Sequence, residues 1–479
     1  MQATLLNESS ADVRMQYKDL TNELNMIRTQ RADAALSDEE RTTLLQEEAI
    51  LTTERNTLIE LAPYSTETVR PQLQRWLGAT ERTLIAYQVD SPSALAAVDP
   101  TVTAYVVRPD TVVAISIDHT PGTLRQLVER ISPLLVDDQA PVSINNASFD
   151  LNAMHEAYKT LIAPLTSHLP ETGVPFGALV TAPPVSSFSY DSASYLIEER
   201  AVLSTLSPTL LVEPLSDAQE HTLDVAAFGV SNYGRTSPPD DLLATEVRLR
   251  SNTDSLSLVS LPGVSTELRH LDNMFSRTYT ALNQDATPRA VREHSTRATV
   301  VHLASHALLS PTDPLGSAFV LAKEESHDGL LRVHDIMAPG RAVPLVVLSG
   351  CSTARGELRS GEGLLGLQYA FQASGAQSTL SHLWPTDDNT AVALSKLFYQ
   401  HLRDGLPKDV ALQRAQLAFM DKHSERRAPF FWASPVLFGT PDVLSFSAPV
   451  SSWFVSSWIR WGLLAVAAVV LIGILFRIR

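Results

Sequence analysis

Cysteine is almost absent from the 479-residue chain, which contains only Cys351. A single cysteine excludes an intrachain disulfide bond and a zinc site built from several cysteines, and it favours a reducing compartment. Basic residues are also scarce, because 37 Lys and Arg stand against 53 Asp and Glu and leave a net charge of −16. Since no basic stretch is long enough to neutralise a run of phosphates, we expect no nucleic-acid partner.

Long apolar runs are missing except near the carboxyl terminus. Residues 461–476 (WGLLAVAAVVLIGILF) are uncharged and lie between Arg460 and Arg477. As an α-helix this run is about 24 Å long, less than the roughly 30 Å hydrocarbon layer, but the flanking arginines can extend their side chains to the lipid headgroups. We therefore expect residues 458–479 to form one transmembrane helix, with a buried core helix as the alternative. The amino terminus lacks the pattern of a secretory signal, which predicts a cytoplasmic body.

The first part of the chain has helical periodicity. Apolar residues recur every three or four positions from Val13 to Ile27, and leucines recur every seven positions from Leu44 to Leu58. Both spacings place one apolar stripe along a helix. They predict a helical hairpin within residues 1–69, which either docks on its own domain or binds a partner.

From Thr83 the pattern changes to β-rich runs, separated by Pro and Asp turns and followed by alternating helical and strand-like segments. This alternation is typical of α/β proteins, and the strand-like runs at 299–304, 345–349 and 378–382 read as buried strands. Stretches rich in Ser, Pro and Asp indicate linkers. The predicted units are an α/β half at 70–234, a linker or surface loop at 235–260, a second α/β unit at 261–442 and a Pro- and Ser-rich tether at 443–457.

Two of the predicted buried strands end in reactive side chains. His306 follows the strand at 299–304, and Cys351 follows the strand at 345–349. Catalytic groups gather at the carboxyl ends of strands in open α/β sheets, so a thiol and an imidazole can share one crevice there. In such a dyad the imidazole takes the thiol proton, the thiolate attacks an amide carbonyl, and backbone N–H groups at Cys351 and Ala307 hold the oxyanion. The alternative is that Cys351 is a buried packing residue.

Other polar residues in this half have weaker patterns. Glu362, Asp387 and Asp388 are candidates for a substrate pocket, and the alternative is that they are ordinary loop carboxylates. His302 alternates toward the sheet interior, which predicts a core or orienting histidine and not the catalytic base. The remaining histidines of this half have no spacing that indicates a metal site.

Several short motifs lie between Leu261 and Gly439. They are Leu261-Pro262-Gly263 with Glu267, His302-Leu303-Ala304-Ser305-His306, Leu348-Ser349-Gly350-Cys351-Ser352-Thr353-Ala354, Gly361-Glu362-Gly363-Leu364, Leu383-Trp384-Pro385 and Phe431-Trp432-Ala433. Together they resemble the CHAT domain, a bacterial caspase- and separase-like cysteine peptidase family that is often joined to tetratricopeptide repeats. More loosely, residues 70–234 resemble the family's pseudo-caspase half.

The resemblance implies a caspase-like mixed sheet flanked by helices and preceded by the pseudo-caspase α/β half. The helical hairpin predicted above would precede these units, and the predicted transmembrane helix would follow them. The resemblance also implies that His306 is the base and Cys351 the nucleophile. The sequence departs from the family at Ala307, where glycine is common, and at Gly350-Cys351-Ser352, where Ala-Cys-Glu is usual.

We therefore expect a cysteine endopeptidase that is tail-anchored in the inner (cytoplasmic) membrane and faces the cytoplasm. The resemblance implies a protein substrate, a protein activator, a role in bacterial signalling or defence, and no metal or organic cofactor. The alternative is a non-catalytic membrane-tethered scaffold that uses a degenerate caspase-like domain to bind proteins.

Overall fold

The computed structural model describes the chain with gaps. The described residues are 16, 19–20, 23, 27, 43–44, 47, 50–51, 66–90, 101–131, 149–169, 180–182, 193–205, 211, 221–233, 258, 260–308, 317–324, 327–332, 336, 343–350, 357–359, 363–365, 367–384 and 388–447. Three predicted site residues, Cys351, Glu362 and Asp387, lie outside this set, as does the predicted anchor at 458–479. Within the described ranges, no helix combines the length and the apolar character needed to cross a bilayer.

Helices and strands alternate along the described chain. The helices are α1 (Thr66–Thr80), α2 (Pro121–Ile131), α3 (Leu151–Leu161), α4 (Leu196–Glu199), α5 (Pro262–Met274), α6 (Pro288–Ser295), α7 (Leu367–Ala373), α8 (Asp388–Arg403), α9 (Lys408–Lys422) and α10 (Pro429–Trp432). Short 3₁₀ helices occur at Ala163–His168, Asn283–Asp285 and Ser424–Arg426. Every described position between residues 16 and 51 is helical, in agreement with the helices predicted there.

Sixteen described strands form one large sheet and four small ones. They are β1 (Leu84–Asp90), β2 (Thr101–Val107), β3 (Val112–Ile117), β4 (Val180–Ala182), β5 (Ser194–Tyr195), β6 (Leu223–Gly229), β7 (Thr278–Leu282), β8 (Ala298–Ala304), β9 (Ala307–Leu308), β10 (Ala318–Val320), β11 (Leu330–Arg332), β12 (Leu345–Ser349), β13 (Glu357–Arg359), β14 (Gly363–Leu365), β15 (Ser378–His382) and β16 (Pro435–Gly439).

The β-rich runs that the sequence shows from Thr83 form an antiparallel meander, in the order β1-β2-β3. Alternate residues of β2, namely Val102, Ala104 and Val106, are buried. They pack with Leu165 of the first 3₁₀ helix. This alternation is expected for an antiparallel sheet that is covered on one face.

The central sheet is mixed, with the order β16-β15-β12-β8-β6-β7. Its strands are parallel except β16, which runs antiparallel to β15 at the edge. Every residue of β8 is buried, because α5, α8 and α9 cover one face of the sheet and α6 and α7 cover the other. Burial on both faces explains why β8 and β12 consist mostly of apolar residues, with Thr299 and His302 as the polar exceptions within β8.

Strand β6 differs from the sequence-based division of the chain. The predicted boundary at residue 234 assigns Leu223–Gly229 to the first half, but this strand pairs with β7 and β8 of the second half. The central sheet therefore begins before the predicted linker. Local sequence patterns identify a strand but carry no information about which distant strand it pairs with.

The chain after β16 returns to the amino-terminal end of β6. The fully buried carboxylate of Asp224 accepts hydrogen bonds from the backbone N–H of Ser447 at 2.8 Å and from its hydroxyl at 2.7 Å. The Arg277 side chain donates to the same oxygen at 3.2 Å. Leu444 is buried in the core beneath α5 and α8. Residues 440–447 are thus fastened to the sheet.

Candidate functional site

The two strands that lead to the predicted dyad are neighbours in the central sheet. Strands β8 and β12 pair in parallel from Val300 opposite Leu345 to Ala304 opposite Ser349. His306 lies two residues after Ala304, and position 351 lies two residues after Ser349. The predicted base and the predicted nucleophile therefore follow paired residues at the same edge of the sheet, although Cys351 itself is outside the described residues.

His306 is half-buried and is held by its backbone. Its N–H donates to the Tyr233 hydroxyl oxygen at 2.9 Å, and its carbonyl accepts from the Val320 N–H at 2.9 Å. The Tyr233 ring lies 4.9 Å from the imidazole, centroid to centroid. Tyr233 also contacts the Ser305 hydroxyl at 2.9 Å, and Ser305 donates to the Val320 carbonyl. These contacts fix the segment that carries the imidazole.

Ala307, the predicted oxyanion residue, begins strand β9 and pairs with Phe319. The hydrogen-bonded pair next to it joins His306 and Val320. Hydrogen-bonded and non-hydrogen-bonded pairs alternate in an antiparallel ladder, so the Ala307 N–H points away from β10. That direction leaves this donor available to a group outside the ladder.

A buried polar cluster lies directly beneath the strand ends. Glu267 of α5 accepts a hydrogen bond from the Ser349 hydroxyl at 3.0 Å, and its other oxygen lies 3.5 Å from His302 Nε2. The opposite ring nitrogen of His302 lies 3.0 Å from the Tyr399 hydroxyl of α8. The prediction that His302 points into the sheet interior is confirmed, since its side chain is fully buried.

The cluster holds its ionisable groups away from their ordinary pKa values. Burial alone raises the pKa of Glu267, but the charge of His302 and hydrogen bonds from His302, Ser395 and Ser349 outweigh burial and lower it. Burial lowers the pKa of His382, at the end of β15, to about 4. Burial, together with Glu267, raises the pKa of Tyr399. At neutral pH Glu267 is therefore a carboxylate, while His382 and Tyr399 are uncharged.

A small cavity of about 50 Å³ opens beside these strand ends. Its walls include Gly263, Glu267, Ser305, Gly350, His382 and Asp388. Asp388, a predicted substrate-pocket residue, begins α8 at this rim, and its carboxylate accepts a hydrogen bond from the Gly263 N–H at 3.2 Å. The two other pocket candidates, Glu362 and Asp387, lie outside the described residues. In the ranges that the structure covers, no group of three or more His, Cys, Asp or Glu could hold a metal ion.

Sequence reasoning assigned no role to Tyr233, Glu267 or Tyr399. Glu267 carried a detectable signal, because it lies on the same helix face as Val264, Leu268 and Leu271, which are all buried. A carboxylate on a buried helix face requires a partner. Tyr233 carried no such signal, because its contact with His306 depends on how the chain turns after β6.

The chain is similar to several known proteins. A stretch of 111 residues, 23% of the chain, is 32% identical to mouse Tetratricopeptide repeat protein 28 and spans 4% of that protein. Among solved structures, the chain is similar to the Arg-specific cysteine proteinase gingipain R, with 10% sequence identity and a TM-score of 0.36. The matched part is 66% of this chain and 70% of the gingipain R chain. A separase–securin complex from Saccharomyces cerevisiae covers 91% of this chain, with 27% of that chain matched, at 12% identity and a TM-score of 0.34.

A family model also matches the chain. The CHAT domain matches residues 151–440, which is more than half of the sequence. This range includes the central sheet, both strand ends and the buried polar cluster. The chain therefore belongs to the CHAT domain family.

Proposed function

We propose that this protein is a cysteine endopeptidase that cleaves a protein substrate through Cys351 and His306. The observation that carries the proposal is the parallel pairing of Ser349 with Ala304, because the two reactive residues each follow that pair by two positions. Membership of the CHAT domain family supports the same assignment.

The proposed reaction is a two-step acyl transfer. The His306 imidazole takes the Cys351 thiol proton, and the thiolate attacks the carbonyl carbon of the scissile amide. The N–H groups of Ala307 and Cys351 donate to the developing oxyanion. His306 then gives its proton to the leaving amine, which leaves a thioester that water hydrolyses. His306 is not fully buried, which suits a group that exchanges protons with a bound substrate.

The substrate pocket is proposed to include Asp388, Asp387 and Glu362. Asp388 supports this assignment because it lies at the rim of the cavity beside Ser349 and Gly350. The Asp388 carboxylate also accepts a hydrogen bond from the Gly263 N–H at the start of α5.

The test uses the fact that the chain has one cysteine, so that any thiol label reports Cys351. An electrophilic peptide should label the wild-type protein, and Cys351→Ala should abolish labelling. His306→Ala should lower the labelling rate by at least about 100-fold, the lower end of the range for a general base. His327→Ala, which alters a histidine in the β10–β11 connection, is the matched control and should label like the wild type.

The opposite result would favour a scaffold. Ordinary thiol reactivity that does not depend on His306, together with full biological activity of the Cys351→Ala protein, would refute the peptidase assignment. The caspase-like domain would then act by binding proteins.

Membrane attachment and activation by a protein partner are parts of the same proposal. The uncharged run at 461–476, bracketed by Arg460 and Arg477, supports a single membrane span at 458–479, in the inner membrane with a cytoplasmic catalytic body. Deletion of 458–479 should move the protein from washed membranes to the supernatant. Retention of the truncated protein in the membrane fraction would refute the anchor.

A further inference from the structure

One buried carboxylate contacts both strands that lead to the proposed dyad. Glu267 is 4% exposed and lies on α5, outside the sheet. One of its oxygens accepts the Ser349 hydroxyl at 3.0 Å, and the other lies 3.5 Å from His302 Nε2. Ser349 is the last residue of β12, and His302 belongs to β8. A single side chain therefore links the two strand ends to one helix.

Strand β12 lies between β8 and β15 in the central sheet. Its pairing with β15 is recorded at Val346 and Val347, whereas its pairing with β8 continues to Ser349. The Ser349 hydroxyl adds a contact from this end of β12 to α5. Gly350 and then Cys351 follow Ser349 in the chain.

The hydrogen bond between Ser349 and Glu267 has a charged acceptor. Glu267 is ionised, since the pKa of its carboxyl lies below the ordinary value in spite of burial. A hydrogen bond to a charged acceptor is stronger than one between neutral groups, and low local polarity strengthens it further. Tyr399 holds the other side of the His302 ring at 3.0 Å, so the imidazole between Glu267 and Tyr399 cannot rotate without losing a partner.

We propose that Glu267 is a positioning residue that sets the separation between the Cys351 thiol and the His306 imidazole. It acts through Ser349 on the strand that leads to the nucleophile, and through His302 on the strand that leads to the base. This inference rests on the proposed peptidase function, because it describes how the same dyad is held.

The experiment measures alkylation of Cys351 by iodoacetamide as a function of pH. Glu267→Gln removes the charge but retains the shape, and Ser349→Ala removes one hydroxyl and leaves the Glu267–His302 pair intact. Glu293→Gln, an exposed glutamate on α6, is the matched control. Since a misplacement of about 1 Å costs roughly 100-fold in rate, each of the first two variants should lower the His306-dependent rate by at least about tenfold. The double variant should be no slower than the slower single variant, because both changes break one contact.

The pH profile separates positioning from loss of structure. A thiol that has lost its imidazole partner should react with an apparent pKa near 8.5, the ordinary value, while a variant that is merely less stable keeps the wild-type profile until it unfolds. Thermal unfolding curves of every variant establish that the protein is folded at the assay temperature. If Glu267→Gln fails to fold, Ser349→Ala alone decides, because it leaves the buried contact between Glu267 and His302 in place.

Three results would contradict the inference in distinguishable ways. Rates in Glu267→Gln and Ser349→Ala that match those of Glu293→Gln would overturn the positioning role and leave the peptidase intact. Losses that multiply in the double variant would show that Glu267 does not act through Ser349. A wild-type thiol whose reactivity is independent of His306 would refute the proposed function itself, and with it the positioning role.

Discussion

Lys408 is the first residue of α9 and has no exposed side-chain surface. Its ammonium donates to the Pro344 carbonyl at 3.2 Å and to the Thr440 hydroxyl at 3.4 Å, and the Asp442 carboxylate lies 4.0 Å away. Burial lowers the pKa of Lys408 from 10.5 to about 8, although Asp442 and Asp409 act in the opposite direction. The folded protein thus holds this proton less tightly than the unfolded chain does.

The difference predicts how the free energy of unfolding changes with pH. Between about pH 8 and 10.5 the unfolded chain binds the proton that the folded protein has released, so the contribution of Lys408 to stability improves as the pH rises. From about pH 7.5 to about pH 9.5 the improvement should be about 2 kcal/mol. Lys408→Met abolishes this titration. The wild type should therefore gain about 2 kcal/mol relative to Lys408→Met over this pH interval.

Urea unfolding of both proteins at the two pH values, followed by tryptophan fluorescence, measures the gain. Groups that titrate in both proteins cancel in the comparison. Lys396→Met, which alters an exposed lysine of α8, should show no relative change between the two pH values. An equal difference between wild type and Lys408→Met at both pH values would refute the reasoning, because it would mean that the buried ammonium keeps its proton as easily as a solvated one.

Two further predictions concern stability. Asp409→Asn should lower the free energy of unfolding by about 3–5 kcal/mol, because the Asp409 side chain is fully buried and pairs with Arg82 at 2.5 Å. The control is Asp110→Asn in the exposed 3.8 Å pair with Arg108, which should cost less than about 1 kcal/mol. Similar losses in the two variants would contradict a stabilising role for the buried pair. Gly439→Ala should cost at least about 2 kcal/mol in thermal or urea unfolding, because its φ is +107° and a Cβ would lie 2.1 Å from the Gln377 carbonyl oxygen. Gly405→Ala, with φ at +83° and open space around it, is the control, and its smaller loss of about 1 kcal/mol isolates backbone strain.

The parallel strands of the core could be predicted closely from the sequence. The predicted strand at 299–304 differs from β8 by one residue, and the predicted strand at 345–349 coincides with β12. Strands buried on both faces consist mostly of apolar residues, so the polar residues that follow them indicate where they end. The same change from apolar to polar residues identified His306 as a candidate site residue, and the structure places His306 at the carboxyl edge of the sheet.

Contacts between distant elements could not be predicted in this way. The membership of β6 in the central sheet depends on pairing with β8, whose residues lie about 75 positions later. The link from Glu267 to Ser349 depends on how α5 docks across the sheet, and it joins residues 82 positions apart. A local pattern determines which face of an element is buried, whereas the identity of the opposing side chain is determined by packing of the whole domain.

The attachment of Ser447 to Asp224 has a directional consequence. Asp224 lies at the start of β6, whereas His306 and Ser349 lie at the far ends of strands that run parallel to it. Ser447 therefore lies at the opposite end of the parallel strands from Ser349 and His306. Tension applied to the polypeptide at Ser447 would be borne first by the Asp224 hydrogen bonds, and not by the strand ends that carry His306 and Ser349.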